Sequence, residues 1–492
     1  MQQQQIQFYI EMMRLNVLIP LFFVPFIVSF VTFIIISRRD VDRYDISDEA
    51  VFLHNMFHTL DANASNRVLE QGLDGNEYPL PQHLIDLDEP IVFRNSTPLL
   101  DSLVQAMSPD NLIEMIQSPQ RLSSRNWPDS LNSHLPVNAF SYFNWKQIDS
   151  TFKYITPDYN TLSIPPYIWI EESMRFFQEQ CHYPTNSYFY LSEKVSDSPN
   201  NPWKFLLPIS RQIADLFKLS RFASDDQQLP KISSWLGSNG MMAWIHHDYI
   251  HNIFVQTYGT KTFYLFPPSE VTKIYIHPKI HPHARQSQLS KKLFTDPELF
   301  PDFNNVSLYK VVLQPGDVLY FPPMWFHLVV SETCSNSVSH AYFSKENVIL
   351  GDISKSPIPI KQKWTDSRKL KAIYVLIREI LGDTCPEDIN AILESRYSPM
   401  STLLQPSKLS FPSKCQNVEE FSEDELKTIN SVLAQIKSMF QKMSPEFSEK
   451  PLKYDEIRFK IALADYIEFV VSASFGPDNV FQVIKFLFKE CL

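Results

Sequence analysis

The sequence predicts a mainly β core with flanking helices, followed by an α-helical C-terminal region and preceded by one membrane-spanning helix. Three observations carry this. Between Asn186 and Ser344 apolar residues recur at period two in short runs closed by Pro, Gly and Asn. Beyond Lys355 the period becomes helical, as in Leu426, Ile429, Leu433, Ile436 and Phe440. Residues 15–37 contain no charged side chain.

Those uncharged residues span about 34 Å as a helix at about 1.5 Å per residue, enough to cross a bilayer. Pro20 and Pro25 are tolerated in a membrane helix. A cleaved signal peptide is the alternative, but the run is long for one and no small-residue cleavage site follows. A buried core helix is another, but the run has no polar face. Arg38, Arg39 and Arg43 follow the span, while Arg14 and the amino terminus precede it. The positive-inside rule then puts the bulk of the chain in the cytoplasm. Asn63-Ala64-Ser65 and Asn305-Val306-Ser307 match the glycosylation sequon, which matters only for a luminal domain.

Residues 41–85 are acidic and polar and read as a stalk after the tail and span of 1–40. The core domain is expected over 86–355. Its strands are expected at 89–94, 186–195, 232–245, 263–266, 306–313, 318–321 and 337–344, and its helices at 99–116 and 208–219. Residues 356–400 hold a helix pair, 366–381 and 386–397. A Pro- and Ser-rich linker, 401–418, leads to helices at 423–440, 455–473 and 478–488. Ser422 and Glu425 form a capping box for the first of these.

A formal net charge of −11 argues against nucleic-acid binding through a basic surface. With 9 glycines against 36 prolines and no glycine-rich phosphate loop, nucleotide-binding motifs are excluded. The 5 cysteines are scattered, form no CxxC pair and read as reduced core residues.

The chemistry concentrates in WIHHDYIHNIFVQTYGTKTFYLFPP, 244–268, and in LQPGDVLYFPPMWFHLVV, 313–330. Residues two apart on a strand share a face, so His246 and Asp248 converge while His247 points away. His327 lies just past the 318–321 strand and its prolines, and two strands facing each other across a barrel bring it close. Two histidines and one carboxylate on one side of a metal leave coordination positions open, as non-haem Fe(II) oxygenases require. An ordinary core histidine beside an apolar run is the plainer reading of each His alone.

With these blocks, YIHPKIHPHARQSQ at 275–288, FPDFNNV at 300–306 and ILGDTCPEDINAILESRYSP at 380–399, the chain resembles the JmjC/cupin-like Fe(II)- and 2-oxoglutarate-dependent oxygenases. Within them it is most similar to the asparaginyl hydroxylase that inhibits hypoxia-inducible factor. The resemblance implies a double-stranded β-helix, the cupin jelly roll, with Fe(II) held by His246, Asp248 and His327. It implies 2-oxoglutarate bound through Lys261, Tyr190 and Asn252, a peptide touched by Arg285 and Gln286, and a C-terminal helix pair that forms a homodimer. Three positions depart from the pattern. Ala243 stands where a threonine contacts 2-oxoglutarate, Ser192 where a glutamine contacts substrate, and His340 or Ala341 where an asparagine sits in the last strand.

Two functions follow as expectations. One is a membrane-anchored hydroxylase of protein side chains that releases succinate and carbon dioxide, with Trp244, Phe254, Trp325 and Phe326 walling the pocket. The other is a catalytically weak JmjC-like scaffold that holds a partner at a membrane. A histone lysine demethylase is a third, set aside because no chromatin-reading motif is present.

Overall fold

A computed structural model describes residues 57–72, 86–111, 135–141, 159–164, 187–196, 204–217, 231–289, 297–412, 421–443 and 451–491, apart from short breaks within these ranges. Among them no helix is long and apolar enough to cross a membrane. The span expected at 15–37 lies outside the described residues.

Two sheets form the core. The smaller runs β1 (Asn66–Arg67), β11 (Tyr309–Leu313), β10 (Lys261–Phe266), β13 (Phe326–Ser331), β8 (Met242–His246). The larger runs β2 (Leu69–Gly72), β3 (Ile91–Arg94), β12 (Val318–Phe321), β9 (Ile250–Tyr258), β14 (Ser335–Phe343), β7 (Lys231–Gly237), β6 (Ser187–Val195), β4 (Leu135–Ser141), β5 (Tyr159–Ile164). From β7 to β10 and again from β11 to β14 the chain alternates between sheets, so neighbours in sequence such as β12 and β13 lie in different layers.

Strand alternation decides what each layer buries. On β10, Phe263 and Leu265 join Phe254 and Leu319 of the other sheet in a cluster between the layers. Tyr264 and Phe266, on the opposite face, join a larger cluster with the C-terminal helices. Those helices are α5 (Asp366–Leu381), α6 (Pro386–Tyr397), α7 (Glu423–Gln441), α8 (Asp455–Phe475) and α9 (Val480–Glu490), after α1 (Pro98–Ala106), α2 (Leu207–Leu216), α3 (Val271–Ile274) and α4 (Lys345–Lys355). Each fully buried Leu, Ile or Phe in that cluster contributes about 1.5–3 kcal/mol. The capping box at Ser422 forms as expected.

Buried charge ties α8 to the core. Arg396 of α6 pairs with Asp465 at 2.8 Å and Glu468 at 3.1 Å, both on α8. Arg458 bonds Asp88 at 2.8 Å in the chain just before β3.

Several expectations change. Strands β1 and β2 fall inside the stretch read as a stalk, where they pair in parallel with β11 and β3. Such two- to four-residue strands carry too few residues for a visible period. Helix α1 stops at Ala106, because Ser108-Pro109 removes a backbone donor and disfavours helical geometry before the ring. His327 lies within its own strand, β13, which neighbours β8 directly rather than facing it across a barrel. The stripe on α7 is used within the chain: Ile429, Leu433, Ile436 and Phe440 are buried. Finally, Cys334 and Cys491 are disulfide-bonded, against the expectation of reduced thiols, and Cys385 is the free cysteine among the described residues. Irregular spacing in sequence hid bonding that only folding makes.

Candidate metal centre

β8 and β13 run antiparallel with His246 opposite His327. Their ring centroids are 4.1 Å apart. Each ring is held by its own strand: His246 Nδ1 lies 2.6 Å from the Trp244 carbonyl, and His327 Nδ1 lies 3.0 Å from the Trp325 carbonyl. A carbonyl only accepts, so both Nδ1 atoms carry the proton and donate. Both Nε2 atoms therefore present lone pairs, the tautomer a metal needs.

Asp248 follows β8 and is fixed by its own carbonyl, which accepts from Met324 N at 2.7 Å. One ligand atom from each of His246, Asp248 and His327 lies within 4.8 Å of the others, and among the described residues no other such cluster occurs. Burial and the charge of His246 push the His327 pKa down, keeping its imidazole neutral. Burial alone raises the Asp248 carboxyl, but the facing charges of His246 and Arg285 hold it below the usual carboxylate range. Two Nε2 ligand atoms and one carboxylate anion fit a divalent metal without proton release from the carboxylate. His247 points away as expected, buried against Tyr249 and Phe326.

Inward of this triad sits Lys261, opposite Ser331 on β13, four positions from the Leu265–His327 pair. Only 2% of it is exposed. Its Nζ donates to Ser337 Oγ at 2.6 Å and to the Trp235 carbonyl at 3.1 Å, and lies 5.4 Å from the centre of the Phe254 ring. No carboxylate pairs with it among the described residues. Burial accordingly pulls its pKa down to about 7. A buried ammonium with neutral partners is half of an ion pair, and an anion supplied from outside completes it. Asn252, on β9 opposite Phe321 and Ala341, is buried with Oδ1 unpartnered among the described residues. The Lys261 ammonium fits a bound diacid, whereas the Asn252 Oδ1, an acceptor, needs a donor as its partner.

The register also settles the departures. Between His327 and Val329 the β8–β13 pairing shifts by one, so Ala243 rather than Trp244 lies opposite Val329. A bulge of this kind re-aims a side chain, here turning the third residue before His246 toward the same layer. On β14, Ser337 bonds Lys261 and Ser339 accepts from Trp235 Nε1 at 2.7 Å, both between the sheets. By alternation Ala341 is the inward residue, and His340 points outward. Tyr190 lies on β6 opposite Gly237, and Ser192 opposite Trp235. Of the expected pocket wall, Phe254 lies between the sheets, while Trp244 and Phe326 pack in the outer cluster. Trp325 is a core residue against Tyr309 and Tyr454. Phe321, 4.9 Å from the His327 ring, takes the place beside the His246, Asp248 and His327 cluster.

Arg285 and Gln286 sit at the rim. Gln286 bridges His246 through the backbone. Arg285, at φ 75°, pairs with Asp248 and donates to the His247 carbonyl at 3.1 Å. The rim loop is pinned from behind: Ile280 N donates to Glu468 at 2.9 Å, and Gln288 donates to the Arg396 carbonyl at 2.7 Å. Tyr249, next to Asp248, donates to Asp465 at 2.6 Å. Sequence reasoning missed Trp235 and Ser337, which the serine alternation at Ser335, Ser337 and Ser339 signals, and missed the α8 carboxylates, which no local pattern signals.

Residues 80–348, more than half the chain, match the model of the cupin-like domain. Jumonji C domain-containing protein 5 of Drosophila melanogaster is 38% identical over 108 residues, 22% of this chain and 26% of that protein. The tRNA wybutosine-synthesizing protein 5 of Gallus gallus is 31% identical over 133 residues, 25% of this chain and 40% of that protein. The lysine-specific demethylase JMJ30 of Arabidopsis thaliana is 31% identical over 117 residues, 23% and 26% of the respective chains. The chain thus spans less than half the length of these relatives.

Proposed function

The chain belongs to the cupin-like domain family, and from that premise we propose that it is an Fe(II)- and 2-oxoglutarate-dependent oxygenase that hydroxylates a protein side chain. The observation that carries this is the pairing of an open-sided His246, Asp248, His327 triad with a buried Lys261 that meets no carboxylate among the described residues. JmjC-containing relatives, one of them named a demethylase, support an oxygenase chemistry of this general type.

His246, Asp248 and His327 would hold the iron, whose bound state supplies the oxidising power of the reaction, with 2-oxoglutarate consumed to succinate and carbon dioxide. Lys261 neutralises the far carboxylate of the cosubstrate, and Ser337 and the Trp235 carbonyl aim its ammonium. Phe254, Phe263 and Phe321 exclude water from the space between. Asn252 and Tyr190 complete the cosubstrate pocket in this reading. Arg285 and Gln286, at the rim, meet the substrate peptide. The narrower likeness to the asparaginyl hydroxylase has no support from the relatives above. The class of side chain modified therefore rests on the rim residues alone. The anchor at residues 15–37 is part of the same reading.

A scaffold reading has one observation in its favour: Ala243 and Ala341 remove two hydrogen-bonding side chains from the inward face. Succinate formation decides between the two. Purified residues 41–492 with Fe(II) and ascorbate release succinate from 2-oxoglutarate above the rate of His246→Ala if the site is catalytic. Equal rates for both proteins remove the enzyme reading and leave the scaffold.

A further inference from the structure

Two features lie outside the metal centre and point the same way. Cys334 and Cys491 are both disulfide-bonded. Cys334 is buried, in the turn between β13 and β14, so its bond belongs to the folded core. Disulfides that persist in folded proteins belong to oxidising compartments, whereas the reducing cytosol keeps such thiols free. The second feature is the sequon Asn305-Val306-Ser307. Asn305 ends a short turn, Phe303–Asn305, and is exposed, as is Ser307, while Val306 between them is buried. The Asn305 backbone is anchored: its N–H donates to the Asp302 carbonyl at 3.0 Å, and its carbonyl accepts from Lys273 at 3.1 Å. No hydrogen bond among the described residues engages its side-chain amide. Asn63, by contrast, spends its amide on the Asn304 carbonyl at 2.9 Å.

We propose that the described domain resides in the lumen of the secretory pathway and carries an N-linked glycan on Asn305. The donor is a lipid-diphosphate-linked oligosaccharide. A bond forms between Asn305 Nδ2 and the first sugar carbon, the bond from that carbon to the diphosphate oxygen breaks, lipid diphosphate leaves, and the amide gives up one proton. The fold accommodates the product, because the amide projects from a surface turn while Val306 keeps the backbone in place. This replaces the cytoplasmic placement expected from arginine counts. That count sets Arg38, Arg39 and Arg43 against Arg14 and the amino terminus, a small bias beside the disulfide bonding of Cys334 and Cys491. The proposal does not depend on the metal centre being active. If it is active, its protein substrates are themselves secretory.

The test uses the full chain expressed in cultured eukaryotic cells, in a background of Asn63→Gln and Asn95→Gln that removes the sequon at Asn63 and a further match, Asn95-Ser96-Thr97. Expected are a single mobility shift on digestion with a peptide N-glycosidase, loss of that shift in Ser307→Ala, its retention in Ser307→Thr, and Cys334 resistant to alkylation until reduced. The threonine variant keeps the sequon with a near-isosteric exposed side chain, so a folding defect cannot mimic the pattern. A chain that shows no glycosidase shift, or whose Cys334 is alkylated in cells without reduction, overturns the proposal.

Discussion

A buried ammonium with no carboxylate beside it opposes folding, and among the described residues Lys261 is such a group. Its pKa falls from 10.5 in the unfolded chain to about 7 in the fold through burial. Between these values the unfolded chain binds more protons, so the stability of the anion-free protein rises with pH through that window. Lys261→Met should therefore raise stability at pH 6, by about 1–4 kcal/mol, read from urea unfolding. The same variant should lose 2-oxoglutarate binding. In the wild type the cosubstrate must recruit a proton to Lys261 above pH 7, so its affinity should weaken by up to about tenfold per pH unit there, measured by calorimetry. A flat profile from pH 6.5 to 9 would show that Lys261 does not hold the anion. Ala243 is the second residue-scale lever. Ala243→Thr restores a hydroxyl on the inward face and should tighten 2-oxoglutarate by about 2- to 10-fold, the worth of one net hydrogen bond. At this scale much was legible: His246, Asp248 and Lys261 stand in one block whose spacing carries their geometry. Ser337 and Trp235 were not, because what selects them is the position of Lys261 Nζ in space, and no sequence offset encodes that.

At the scale of elements, the site is a property of β8 and β13 as a pair. Antiparallel register brings His246 and His327 together although they lie far apart in sequence, and the one-residue shift beside them turns Ala243 inward. His327→Ala should abolish Mn(II) binding within the micromolar range, followed by loss of the free-ion paramagnetic signal, since a ligand is worth more than the roughly 10–100-fold of an outer partner. His247→Ala, although adjacent to His246, should leave that affinity within about threefold and instead cost about 1–3 kcal/mol of stability through the buried volume it vacates. The reverse outcome would exchange the two histidines' roles. Strand positions were readable here because alternation imposes a period; 318–321 and the helices 366–381 and 386–397 match their elements end for end. The β8–β13 adjacency was not readable, since it depends on which strands share a sheet.

Across the whole molecule, the C-terminal helices act as a wall of the site rather than an appendage. Helix α8 reaches the rim loop through Glu468 and Ile280, and the neighbour of Asp248 through Asp465 and Tyr249. Arg396 holds both carboxylates. Arg396→Met leaves the buried Glu468 without its cation and Asp465 with Lys279 as its remaining one, and should cost about 3–5 kcal/mol, seen as a lower urea midpoint. Raising the pH should deepen the loss, because the Glu468 carboxyl, pushed up by burial, then ionises without its partner. A melting curve unchanged by Arg396→Met would detach α8 from the stability of the core. None of this was legible in sequence, where residues 401–492 show only amphipathic periods that suit packing and pairing equally. The most direct measurement is calorimetric titration of 2-oxoglutarate into the protein with and without Mn(II). The account predicts a single site whose affinity depends on the metal and vanishes in His246→Ala. Binding of equal strength with metal, without metal and in His246→Ala would contradict it.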